Sequence, residues 1–202
     1  MQHIESLTYG QTIDSGVYYI NNNITLVPGE NEFANDADPK SALKINGDVT
    51  LIIENNSILT VKGKDANDIY GAGAGIELSE GNSLNVRGLG KIKANGGNGA
   101  KGQNGEAGKN ADTDKGYSGA SGAGGNGGAG AGSAIGTCGG DAGTGGAAKS
   151  GRKQQHGFKD YHGFNGDNGN AGCGSDSFGT FKVYGNVRII VDGGKGSKDN
   201  PS

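Results

Sequence analysis

LNVRGLGKIKANGGNG, residues 84–99, returns as FKVYGNVRIIVDGGKG, residues 181–196, at an offset of 97. Val86 aligns with Val183, Gly88 with Gly185, Lys91 with Arg188, Ile92 with Ile189 and Asn95 with Asp192. Gly96–Gly97 and Gly99 fall on Gly193–Gly194 and Gly196. A β-branched alternation of period two precedes the glycines in both copies, which is the pattern of a half-buried strand. The match predicts that residues 179–195 rejoin the β structure that contains 84–95. Whatever lies between is then an excursion, not a tail.

Upstream, the same texture covers residues 1–95. VYYINNNITLV (17–27), ALKINGDVTLII (42–53), SILTVKG (57–63), IELSEGNSLNVRG (76–88) and KIKA (91–94) alternate apolar and polar positions, with NNN, NGD and EGN as turns. Overlaying VYYINNNITLV on ALKINGDVTLI at an offset of 25 sets Ile20 on Ile45 and Leu26 on Leu51, and LTVKG on LNVRG. A period near 25 with polar corners predicts the coils of a short parallel β-helix, a β-solenoid. An antiparallel β-sandwich is the competing arrangement.

Between Gly96 and Phe178 the composition changes. Glycine supplies 28 of these 83 residues, proline, valine and leucine are missing, and the large apolar side chains are few. A hydrophobic core cannot organise such a segment. Glycine recurs every third residue at 96–108, again at 116–128, and again at 163–172. Polyproline-II geometry has three residues per turn, so that spacing creates a face of bare backbone on each strand. Proline would remove the N–H that such a face needs for a neighbour. The predicted fold is therefore all-β: solenoid strands over 1–95, a polyglycine-II helical bundle inserted over 96–178, and a returning strand pair with a C-terminal tail over 179–202. A flexible Gly/Ser linker is the alternative for the middle part.

GNGAKGQNGEAG, GYSGASGAGGNGGAG and GFNGDNGNAG resemble the runs of polyglycine-II bundle proteins. That group includes the receptor-binding adhesins at phage tail-fibre tips and the springtail antifreeze proteins. The resemblance covers only the glycine-rich segment and transfers no functional residue. It implies either loops displayed on a glycine scaffold or an ice-binding surface. Ice binding calls for a regular array of small hydroxyl or methyl groups. The X positions here mix Lys, Gln, Asn, Glu and Ala, which favours display.

The chemistry-bearing residues fit that preference. The chain has no GxSxG, HExxH or P-loop. Gly-X-Gly-X-X-Gly at 122–127 lacks its strand–helix setting and carries no weight in so glycine-rich a background. HGFKDYHGF (156–164), preceded by KSGRKQQ, gathers aromatic and basic groups. Lys149, Arg152, Lys153, His156, Phe158, Tyr161, His162 and Phe164 form the candidate ligand-binding loop, by stacking on sugars and pairing with anions. The competing use is an aromatic plug at the bundle's end. A metal site from His156 and His162, or a calcium site from Asp36, Asp38, Asp65 and Asp68, is the weaker reading of those residues. No metal and no cofactor are expected.

Cys138 and Cys173 are a candidate disulfide or two thiols. The formal net charge of -3 argues against nucleic acid. The chain lacks an apolar run long enough for a membrane span, and its first 30 residues show no signal peptide. The resulting expectation is a non-enzymatic adhesin or receptor-recognition module. Its partner would be a cell-surface receptor or glycan, its setting extracellular or on a virion or cell surface, within a larger fibre or surface assembly. Ice binding and a self-assembling surface protein are the alternatives.

Overall fold

The computed structural model describes residues 2–29, 40–67, 70–101, 129–139 and 178–196. Eleven strands run through them: β1 (Gln2–His3), β2 (Gln11–Ile20), β3 (Ile24–Leu26), β4 (Leu43–Ile53), β5 (Ile58–Lys62), β6 (Ile76–Glu77), β7 (Ser83–Gly88), β8 (Lys91–Asn95), β9 (Ile135–Gly136), β10 (Thr180–Val183) and β11 (Arg188–Asp192). Every paired strand runs parallel to its neighbour.

One sheet has seven strands. Its path is β1-β2-β4-β6-β9, with β7 also on β4 and β10 on β7. The other has four, in the order β11-β8-β5-β3. This arrangement corrects the expected β-solenoid with an inserted polyglycine-II bundle. The described residues form two all-parallel sheets, the larger branching where β6 and β7 share β4. That parallel layout is otherwise typical of α/β proteins, here without a helix among the described residues.

The register explains part of the correction. Ile45 lies opposite Ile13, and Ile20 opposite Ile53, at spacings of 32 and 33 rather than 25. Leu59 pairs with Ile92 in the four-stranded sheet, while Leu84 pairs with Val49 in the seven-stranded one. LTVKG and LNVRG, aligned at 25, therefore belong to different sheets. The offset of 97 does hold: Val183 pairs with Val86, Ile189 with Ile92 and Asp192 with Asn95.

The glycine-rich stretch is also not wholly separate, because β9 within it pairs with β6. Residues 102–128 and 140–177 lie outside the described residues.

A bulge decides the faces of β4. Two steps on β2, Asp14 to Gly16, oppose three on β4, Asn46 to Val49. Gly47 takes the extra turn at φ +80°, and a β-carbon there would meet the Ser15 hydroxyl at 2.1 Å. That hydroxyl accepts the Asp48 N–H at 3.0 Å. Beyond the bulge Val49, Leu51 and Ile53 face inward, and all are buried.

Val49 and Leu51 stack in register on Leu84 and Val86, Ile53 lies opposite Gly88, and all three share one cluster with Ile24, Leu59, Val61 and Ile92 from the other sheet. The two sheets thus close on a common core. Each such Leu, Ile or Val contributes about 1.5–3 kcal/mol by leaving water. The last strand pair continues the pattern without the cover: Val183 is 43% exposed and Val191 54%.

Beside this core lies a second kind of packing. Gly73 donates to the Lys64 carbonyl at 2.8 Å and accepts from Gly97 at 2.9 Å. Gly132 donates to Gly97 at 2.9 Å, and Gly194 to Gly132 at 2.9 Å. Ala72 donates to Gly130 and accepts from Gly139. Gly73, Gly97 and Gly132 each bond to two different neighbouring segments. The strands approach so closely that a β-carbon on Gly73 would stand 1.5 Å from the Lys40 carbonyl oxygen. One on Gly194 would stand 1.7 Å from that of Gly97. Only glycine fits such contacts.

A candidate binding cleft at the capped end

Residues 2–9 cross one end of the core. β1 pairs with β2 only at Tyr18 and Tyr19, and Ile4 adds one bond from its N–H to the Tyr19 carbonyl, 2.9 Å. Asn22 holds the next turn by donating to the Glu5 carbonyl at 2.7 Å. The segment then leaves β2, because Ile4 is buried in the core and Leu7 and Tyr9 pack against its rim. The Tyr9 hydroxyl donates to the Lys40 carbonyl at 2.9 Å, and burial pushes its pKa well above the ordinary value.

Between the departing segment and the Gln11–Asp14 stretch of β2 lies an open cleft of about 490 Å³. Ile4, Ile13 and Leu7 supply its apolar lining, and Gln2, Glu5, Gln11 and Asp14 its polar lining. Tyr18 closes one side, half-buried. Its ring lies over Gly16, where a β-carbon would come within 3.1 Å of it. Its hydroxyl donates to the Asp14 carbonyl at 2.9 Å.

The Asp14 side chain accepts from Asn46 at 2.7 Å through Oδ1, which fixes the carboxylate on β2. At the rim the His3 and Tyr19 rings sit 5.9 Å apart at 43°. The Tyr19 hydroxyl donates to Glu54, and that bond holds the phenol protonated above its ordinary range. A tyrosine beside a mostly polar lining with fixed oxygen acceptors suits a molecule with a hydroxyl-rich edge and a small apolar face.

A second polar group lies where β9 ends. The Ser41 hydroxyl accepts from Ala74 N–H at 3.1 Å and meets Cys138 Sγ at 3.0 Å. Cys138 Sγ donates to Glu77 at 3.5 Å, and Glu77 pairs with Lys44 at 3.7 Å. Burial, with the Glu77 charge adding to it, pushes the thiol pKa up. It is therefore protonated at neutral pH, unlike a nucleophilic cysteine. Cys138 is a free thiol; Cys173 lies outside the described residues.

So does the whole predicted loop: Lys149, Arg152, Lys153, His156, Phe158, Tyr161, His162 and Phe164. Of the acidic set, Asp36, Asp38 and Asp68 also lie outside. Asp65 is occupied structurally, accepting from Asn98 N–H at 2.8 Å and pairing with Lys62. Among the described residues no group of three metal-ligating side chains converges. The cleft was not signalled by any motif. Its residues are short-range neighbours in the sequence, but the cap is what makes them a concavity.

No family model matches this chain, and no curated protein or solved structure matches it either.

Proposed function

We propose that this protein is a non-enzymatic binding module of the adhesin kind that holds a saccharide of a cell surface in the cleft beside β2. The carrying observation is the combination of the Tyr18 ring, packed against Gly16, with the Asp14 carboxylate held by Asn46. Sugars offer an apolar ring face and several hydroxyls, and that combination answers both. A rigid sheet under the site keeps the two groups at constant separation. An exposed setting, extracellular or on a virion surface, belongs to the same proposal. The ice-binding alternative receives less support, because the row Thr25–Thr60 on the four-stranded sheet is interrupted next by Lys93.

A glycan array followed by calorimetry on the hit tests the reading. Asp14→Ala is expected to weaken binding at least tenfold with an unchanged melting temperature, and Tyr18→Phe to weaken it less. Undiminished binding in Asp14→Ala overturns the assignment of the cleft. Turnover of the bound saccharide overturns the non-enzymatic part. Thermal hysteresis without glycan binding overturns the whole proposal.

A further inference from the structure

The outer face of the four-stranded sheet carries a second arrangement, far in sequence from the cleft. Lys91 of β8 lies in register with Arg188 of β11. Adjacent strands are roughly 4.8 Å apart, so two cations stand side by side. Like charges directly opposed across strands are unfavourable.

Nothing among the described residues neutralises the pair. The ion pairs there join Lys44 to Glu77 and Lys62 to Asp65. Glu54, which accepts from the Tyr19 hydroxyl, makes no ion pair with either cation. The whole chain is acidic, at -3, so this is a local concentration of positive charge and not a general one.

The two cations share a depression of about 340 Å³ with Asn55, Asn56, Ile58 and Leu89. Its walls are held by backbone bonds. Lys91 N–H donates to Ser57 at 2.9 Å, and Arg188 N–H donates to Gly90 at 3.0 Å. The turn between β4 and β5 closes through Ser57 N–H on the Glu54 carbonyl at 3.1 Å. Asn56 takes φ 67°, a left-handed conformation that asparagine tolerates better than most side chains.

One arginine, one lysine and two asparagines thus line one shallow depression, and their side chains bring a guanidinium fork, an ammonium and two carboxamides within reach of it. Guanidinium and ammonium only donate, and carboxamides supply two further donors each. Such a set matches a planar or tetrahedral oxyanion, which arginine binds through two parallel hydrogen bonds.

We infer that Lys91 and Arg188, with Asn55 and Asn56, form a binding site for a single oxyanion group: a carboxylate, sulfate or phosphate. The site is built from β5, β8, β11 and their turns, and the inference does not depend on the saccharide reading of the cleft.

The test uses the full chain, titrated separately with inorganic sulfate, inorganic phosphate and glucuronate. Binding is followed by NMR at the Arg188 side-chain Nε–H and the Asn56 carboxamide. One of the three probes is expected to give saturable shifts at both groups, and which one saturates first identifies the group carried by the ligand. Lys91→Ala and Arg188→Ala are each expected to weaken that probe at least tenfold, and Arg188→Lys by less. Asn56→Asp, which keeps the turn while adding a negative charge, is expected to abolish binding even if Lys91→Ala destabilises the chain. Shifts that rise linearly and equally at Lys62, Lys93 and Lys91 would mean diffuse charge screening and overturn the site. Failure of all three probes to bind, or binding that survives Asn56→Asp, overturns it as well.

Discussion

The core between the sheets and the glycine lattice beside it hold strands together by opposite means. In the core, Leu51 and Val86 of one sheet and Ile92 of the other keep the two sheets a side chain apart and exclude water. In the lattice, Gly73, Gly97, Gly132 and Gly194 have no side chain to keep, and backbone amides bond directly to backbone carbonyls on different neighbours. Where apolar side chains are plentiful, parallel strands can lie in ordinary sheets. Where they are not, contact at the backbone is the remaining way to satisfy every N–H. The contrast sets the order in which substitutions should hurt.

The largest effect belongs to the lattice. Gly73→Ala places a β-carbon where the Lys40 carbonyl stands, 1.5 Å away, so the strands must part. Overpacking costs about 2 kcal/mol and each of the two backbone bonds of Gly73 about 1 kcal/mol. Chemical denaturation should register a loss of roughly 4 kcal/mol from these two sources. A wild-type midpoint in Gly73→Ala would show that the backbone contact at Gly73 does not hold the strands together.

In the core, Leu51→Ala leaves a cavity in a fully buried site. The same measurement should give a loss of about 3 kcal/mol, and Leu51→Ile far less. The lattice should show no such tolerance for a neighbouring residue type.

A smaller effect comes with alkali. Burial holds Tyr9 and Cys138 above their ordinary values of 10.0 and 9.0. Both then keep protons in the fold that the unfolded chain releases. Their contribution is intact below pH 9 and is lost as pH rises, first through Cys138 and then Tyr9. Melting temperatures should fall above pH 9, and the first part of the fall should disappear in Cys138→Ala. A flat profile to pH 11 contradicts the burial of both groups.

The smallest effect is the control. A β-carbon on Gly193 meets nothing within 4 Å, so Gly193→Ala should stay within about 0.5 kcal/mol of the wild type. If it matches Gly73→Ala, glycine matters here for chain flexibility and not for contact.

Period-two alternation located several strands but read NGD as a turn where β4 runs through it, and it missed β1, the first half of β2 and β9. ALKINGDVTLII contains β4, SILTVKG contains β5, and the offset of 97 correctly aligns β7 with β10 and β8 with β11. The offset of 25 fails for a physical reason. Any two alternating strands match at several shifts, and the choice among them is made by connection lengths and bulges. The Gly47 bulge changes the count between Asn46 and Val49, which no alternation reveals. Most of the glycine triplets, at 102–128 and 163–172, lie outside the described residues. The close backbone contacts fall instead at Gly73, Gly97, Gly132 and Gly194, and β9 belongs to the main sheet, as Ile135 opposite Ile76 shows. The cleft was hidden because Gln2, Glu5, Gln11 and Asp14 are ordinary polar residues. Their proximity follows from Ile4 and Leu7 being drawn onto the core. Lys91 and Arg188 were aligned by the repeat, but their sharing one depression depends on the turn at Asn55 and Asn56.

The lattice has a thermal consequence. Exposing apolar surface raises the heat capacity of unfolding and exposing polar backbone lowers it, for a usual net of roughly 12–15 cal/mol/K per residue. Strands joined through Gly73, Gly97, Gly132 and Gly194 expose mostly amide and carbonyl when they part. Calorimetry of this protein should therefore return a heat-capacity increment per residue below the usual range, and a stability curve correspondingly flat. Such a molecule loses less of its stability on cooling than one that relies on a hydrophobic core alone.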